Sequence, residues 1–326
     1  MAHMIEARID VVVVTRNSAR HIGPCLESAI AEGARPIVVD NGSTDDTLEV
    51  VRSTCPDARI IETGENLGYG KAMNVGFRET RGEFVILSNP DILFLPGSIV
   101  GLIDYLVKNA RVGVVGPQQM FPNRSWQRSY GDLPGLWSGI KDAVGLTTLH
   151  NGVRKILWPR RLDRRPKEVP YADGAVLAVR SAAFSQMGGF DEDFYFYSDE
   201  SDLCARLRGA GWRVAFLPAS QVIHVRGADS AKVDRSDRFV RYMVASQSLL
   251  ARKLLPKWKA RIYFRLQVCH FYRLRLMYRL AGWIGAERSL MNYKYDVAQA
   301  FTTIWKEASR APLESQPKAQ TPAKET

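Results

Sequence analysis

The chain has 326 residues, 46% hydrophobic and 24% charged, and a formal net charge of +11. That length and balance are those of an ordinary globular protein with one large or two small domains, and they exclude a disordered or fibrous chain. The four cysteines, Cys25, Cys55, Cys204 and Cys269, form no CxxC pair, which fits a reducing compartment and argues against a disulfide framework or a thiolate zinc site.

Met1-Ala2-His3-Met4 reads as a cloning remnant, and residues 1–8 lack the apolar stretch of a signal peptide. Residues 8–116 alternate apolar strands (8–15, 35–40, 58–63, 83–88, 112–116) with helical stretches (18–31, 44–53, 71–81, 98–109), Ser43 standing as N-cap of the second helix. This alternation predicts an α/β fold with a mostly parallel sheet flanked by helices. The rhythm breaks at Pro117, and 118–170 reads as an irregular insertion with one or two short helices. Strand character returns over 169–180, followed by a short helix at 181–187, a helix at 201–210 and a strand at 212–218. The nucleotide-binding domain is thus placed at 8–234, a basic helical region at 235–310 and a disordered tail at 311–326.

Two of these strands end in acids. Val38-Val39 leads into Asp40-Asn41-Gly42-Ser43, and Ile86-Leu87-Ser88 leads into Asn89-Pro90-Asp91. Acids at strand carboxyl ends are how open α/β sheets hold nucleotides or metals; the same residues also make tight turns and helix caps. Asn66-Leu67-Gly68-Tyr69-Gly70-Lys71 opens a helix, with Gly68 permitting close backbone approach to a ligand and Lys71 able to meet a phosphate, or else it is an ordinary loop. Asp199, Glu200 and Asp202 crowd three acids behind an aromatic run. Crowding and apolar neighbours raise carboxylate pKa values and suit a general base, while acids in a first helical turn also favour the macrodipole. His224 reads as structural or as a metal ligand, and Arg226 as a partner for a diphosphate.

In order along the chain, these pieces resemble the family 2 glycosyltransferases of the GT-A fold, and within them the bacterial rhamnosyltransferase-like branch. The likeness runs from Val13-Val14-Thr15-Arg16-Asn17 through Gly174-Ala175 and Gly188-Gly189-Phe190-Asp191-Glu192 to Leu203-Cys204-Ala205-Arg206, covering roughly residues 8–230. The resemblance implies a Mg²⁺- or Mn²⁺-dependent inverting transfer from a nucleotide sugar to a saccharide. It places Thr15, Asn17 and Asp40 at the nucleoside, Asn89 and Asp91 at the metal and diphosphate, and Asp173 and Gly174 near sugar and acceptor. The family's catalytic Glu-Asp is here exchanged to Asp199-Glu200, which puts Glu200 in the base position. Asn89 replaces a family aspartate and removes one charge from the metal site. The branch implies dTDP-L-rhamnose as donor, with UDP-hexoses open and an inactive nucleotide-binding relative as a further alternative.

From Phe239 to Ala286 there are ten Lys/Arg and no Asp or Glu, with aromatics interleaved. Such helices suit an anionic membrane surface, or pack together as a cap or homodimer interface. The membrane reading implies a polyprenyl-diphosphate-linked acceptor at the cytoplasmic face, in cell-surface polysaccharide assembly. A nucleic-acid partner lacks any zinc, RRM or helix-turn-helix signature. A sugar nucleotidyltransferase lacks its glycine-rich loop after the first strand.

Overall fold

A computed structural model describes residues 9–157, 162–225, 237–283 and 288–312. Residues 1–7, Arg226 and the tail beyond 312 lie outside them. The α/β reading is confirmed. Strands β1 (Ile9–Thr15), β2 (Ala34–Asp40), β3 (Arg59–Glu62) and β4 (Phe84–Ser88) alternate with helices α1 (Ala19–Ala31), α2 (Thr47–Thr54) and α3 (Tyr69–Phe77). Then come β5 (Ile92–Phe94), α4 (Ser98–Lys108), β6 (Val112–Met120), β7 (Tyr130–Gly131), α5 (Leu136–Val144) and α6 (Leu146–Leu157). Short strands β8 (Lys167–Glu168) and β9 (Tyr171–Ala172) precede β10 (Val176–Arg180), α7 (Ser181–Gln186), α8 (Asp199–Gly209) and β11 (Arg213–His224). Three helices follow: α9 (Asp237–Leu254), α10 (Lys257–Trp283) and α11 (Arg288–Arg310).

Among the described residues the main sheet has nine strands in the order β3-β2-β1-β4-β10-β6-β11-β5, with β8 also pairing β11. β1 runs parallel to β2 and β4, β2 to β3, and β6 to β11; β10 is antiparallel to both β4 and β6. The consequence is positional. Parallel β1, β2 and β4 deliver Thr15, Asp40 and the 89–91 turn at one edge of the sheet, where β10 begins opposite Ser88. Asp173 and Gly174, just ahead of β10, therefore reach the same edge. His224 joins them because the end of β11 pairs with Ile92.

The valine-rich strands are covered on both faces, as their unbroken apolar runs require. Val11, Val13, Val38 and Ile86 pack with Ile22 and Leu26 of α1 and Leu102 and Leu106 of α4. On α3 a Cβ added to Gly76 would lie 2.4 Å from Val12 Cγ1 and 2.7 Å from Val39 Cγ2. That helix lies on the sheet at a distance only glycine allows.

Several boundaries differ from the sequence expectation. Ser43 does not cap α2: its hydroxyl accepts from the Asn17 amide (3.0 Å), while the Asp45 carboxylate takes the amide and hydroxyl of Thr47, where the helix starts. β6 runs through Pro117 to Met120 rather than breaking there, because its ladder with β11 shifts register between Leu217 and Gln221 around the donor-less prolines. α8 starts at Asp199, so both catalytic candidates stand in its first turn.

The described residues form two compact units. One is drawn from Met1–Asp132, Pro159–Tyr195 and Asp199–Ala231 and holds the sheet; the other is drawn from Leu133–Trp158, Phe196–Ser198 and Lys232–Thr326. The second has its own core of Val240, Val244, Phe264, Phe301 and Trp305. Among the described residues no helix is long and apolar enough to cross a membrane.

Candidate active site

Thr15 and Asp40 are register partners on neighbouring parallel strands, and both are buried. Asp40 Oδ2 accepts from the Ser43 amide (3.0 Å), but Asp40 Oδ1 and Thr15 Oγ1 have no partner. Buried polar atoms without partners are uncommon. Two together at adjacent strand ends are prepared to bond a ligand.

Asn41 and Asn17 shape the loops around them. The Asn41 side chain accepts from the Leu67 amide (2.8 Å) and donates to Asn66 Oδ1 (3.0 Å) and Gly68 O (3.3 Å). Asn17 Oδ1 accepts from the Thr44 amide at 2.8 Å. Gly68 has φ +84, and a Cβ there would lie 2.8 Å from Tyr195 O. Lys71, on the first turns of α3, is exposed.

Four carboxylates act on one hydroxyl. Tyr69 donates to Gly174 O (3.1 Å), and its pKa is pushed well above the ordinary value by burial and then by Asp199, Glu200, Asp173 and Asp91. Tyr69 is therefore a neutral donor within electrostatic reach of the predicted metal, sugar and base residues. Sequence reasoning did not single it out, although it stands in the Leu-Gly-Tyr-Gly run.

Glu200 and Asp199 share the first turn of α8. Burial raises Glu200 well above the ordinary carboxylate range, with the neighbouring charges of Asp199 and Asp173 adding to it. Asp199 is also raised by burial, and its Oδ2 has no partner. The pair favours holding one proton between them. Gly174 makes room for this: a Cβ there would lie 3.0 Å from Glu200 Cβ and 3.2 Å from its Cγ. Tyr197 and Ser198 enter the helix with φ of 65 and 67. Left-handed backbone at two non-glycine residues costs energy and clusters at functional sites. Asp202 is structural instead, since Arg206 bridges it (2.6 Å) to Met187 O and Gly189 O.

His224 is buried with Nε2 3.5 Å from Asp91 Oδ1. Its Nδ1 lies 3.0 Å from Gln119 Oε1, and Gln119 Nε2 donates to Asp173 Oδ1 at 3.0 Å. A carboxylate can only accept, so the Gln119 amide has its oxygen toward His224, and Nδ1 carries the ring proton. The Gln127 amide also lies 3.2 Å from that nitrogen, and with Nδ1 protonated it presents its oxygen there. The other ring nitrogen then faces the Asp91 carboxylate, and this pair could hold a cation between them. One carboxylate and one imidazole suit a divalent ion whose remaining positions go to phosphate oxygens and water. Among the described residues no cluster of three or more His, Cys, Asp or Glu could hold a metal alone, so a metal at Asp91 and His224 would need oxygens of a bound ligand or water to fill its shell. Asn89 anchors the turn through its backbone, donating to Ala175 O (2.9 Å). Gln119 is a second residue the sequence reading missed, and adjacent buried glutamines ending an apolar strand were its signal.

The Glycosyl transferase family 2 model matches residues 10–188. The chain is a family 2 glycosyltransferase. It is 32% identical over 286 residues to the N-acetylglucosaminyl-diphospho-decaprenol L-rhamnosyltransferase of Mycobacterium tuberculosis, covering 83% of this chain and 93% of that one. It is 22% identical to the rhamnosyltransferase WbbL of Escherichia coli, covering 74% and 92%. Among solved structures the glycosyltransferase is similar to the mannosyltransferase PcManGT of Pyrobaculum calidifontis, in complex with GDP-Man and Mn²⁺ (TM-score 0.56, 19% identity, 93% of this chain and 85% of that one). It is likewise similar to GalNAc-T7 with UDP, GalNAc and Mn²⁺ (TM-score 0.58, 14% identity, 95% and 58%). The fold is GT-A.

Proposed function

We propose that the glycosyltransferase moves L-rhamnose from dTDP-L-rhamnose, with inversion, to a saccharide carried on a polyprenyl diphosphate. The M. tuberculosis relative's name supports both sugar and acceptor class. The observation that carries the chemistry is Glu200, held against Gly174 with its pKa raised, in electrostatic reach of the same tyrosine hydroxyl as Asp91. A carboxylate made more basic than usual is what deprotonation of a sugar hydroxyl needs.

Thr15 and Asp40 bind the nucleoside with their unpartnered oxygens. Asn17, Asn41 and Gly68 hold the loops that surround it, and Lys71 faces the phosphates. Asp173 positions sugar and acceptor, with Asp199 keeping Glu200 basic. The acceptor oxygen attacks the anomeric carbon from the side opposite the diphosphate. As that bond forms, its proton passes to Glu200, and the nucleoside diphosphate leaves with the electron pair of the broken bond. Asp91 and His224 would hold Mg²⁺ or Mn²⁺, which offsets charge on the departing diphosphate when bound. The protein works at the cytoplasmic face of a membrane, with its basic helices toward anionic lipid.

The test is binding and slow hydrolysis across a panel of nucleotide sugars, with and without Mg²⁺ or Mn²⁺. Metal-dependent selection of dTDP-L-rhamnose is expected. Selection of a UDP-hexose would replace the donor, and binding of none would leave an inactive relative.

A further inference from the structure

We propose that the α5–α6 hairpin is a membrane-inserting element: its apolar side chains enter the interface of an anionic bilayer while arginines of α10 meet the headgroups. A helix in a globular protein turns its apolar stripe inward. Here the stripe points out. On α5, Trp137, Ile140 and Val144 recur at helical spacing and are exposed, Trp137 by 68%. On α6, Leu146, Leu149, Val153 and Leu157 do the same, Leu149 by 64%.

The hairpin is held in this orientation by its other side. Gly139 is buried, and a Cβ there would lie 3.0 Å from Leu266 Cδ1 and 3.1 Å from Tyr263 Cδ2 of α10. The Arg273 guanidinium donates to Ala143 O (3.2 Å), Asp142 O (3.4 Å) and Thr148 Oγ1 (3.1 Å), gathering the carbonyls that end α5. The small and polar positions are thus occupied by α10.

α10 continues the surface. Trp258, Ile262, Tyr272, Leu276, Leu280 and Trp283 are exposed along its length, at three- and four-residue steps except between Ile262 and Tyr272. By the same steps this row neighbours Leu266, His270 and Arg273, which take the hairpin. Arg261, Arg265 and Arg279 are exposed among the apolar residues. The ten cations and absent acids of 239–286 decide the occupant. A second copy would bring like charge against like charge, whereas aromatic, aliphatic and arginine side chains together match the interface of an anionic bilayer.

This extends the lipid-linked acceptor reading, but it rests on a unit separate from the carboxylates and is decided without turnover. The full-length protein is floated with vesicles of phosphatidylcholine containing phosphatidylglycerol and with pure phosphatidylcholine. Binding to the anionic vesicles is expected. Combined L149D and L157D substitutions should lower the partition coefficient about tenfold or more, with melting temperature and donor hydrolysis unchanged. In a second measurement, lipid with brominated chains should quench the fluorescence of the parent protein, and W137F should remove part of that quenching. Equal flotation of parent and double variant, or quenching that W137F leaves unaltered, would overturn the proposal. So would a dimer in sedimentation velocity that the double variant dissociates, since the face would then be a subunit interface. Should the lipid proposal fail, donor selection still tests the transferase reading by itself.

Discussion

Glu200 carries the largest consequence at the scale of one residue. General base assistance typically contributes about 10²–10⁴-fold, so Glu200→Gln should lose roughly that much in kcat with donor Kd unchanged. Near-normal turnover would move the role to Asp199. The raised pKa sets the pH dependence. Activity should fall as pH drops through the Glu200 value, above the ordinary glutamate range, and Asp199→Asn should shift that limb to lower pH by removing a like charge. A carboxyl raised in the fold stabilises it below the unfolded-state pKa and loses that contribution as pH rises through the folded value. Glu200→Gln should therefore melt above the parent, with the gap widening from acid to neutral pH. Gln119 is testable apart from turnover: Gln119→Leu releases the His224 ring, and Mn²⁺ affinity with a nucleoside diphosphate, read by electron paramagnetic resonance, should weaken by about 10–100-fold. Unchanged affinity would mean that His224 is no ligand.

At the scale of elements, close approach replaces side-chain packing where α3 crosses the sheet. Gly76→Ala must push Val12 and Val39 aside in a close-packed layer. It should cost about 1–3 kcal/mol, measured by urea unfolding, and a neutral result would show that α3 can lift from the sheet. The strand–helix alternation was legible over most of residues 9–120 because buried parallel strands need continuous apolar runs. Boundaries were less so. Ser43 looked like a cap, but Asp45 was better placed to satisfy Thr47, and a residue's competitor for a cap is settled in space. Pro117 looked like a break because the bulge that tolerates it lies in β11, a hundred residues away.

The whole molecule has two compact units, each with its own buried core. Calorimetry should resolve two transitions, and nucleoside diphosphate with Mn²⁺ should raise only that of the sheet-bearing unit, by about 2.7 kcal/mol at a hundredfold excess over Kd. A single transition shifted as a block would show the units unfolding together. Sequence alone determined the family, the GT-A fold, the strand ends bearing Asp40 and Asp91, and the basic helical end, because those signals are local: periodicity, turn residues, charge runs and ordered motifs. It named Glu200 by its place in a motif. Only the tertiary structure decided that four carboxylates lie within electrostatic reach of Tyr69, that Gln119 orients His224, that Gly174 makes room for Glu200, and that residues 136–157 turn their apolar stripe outward. Each of these depends on which side chains from distant segments meet, and one-dimensional spacing does not record that.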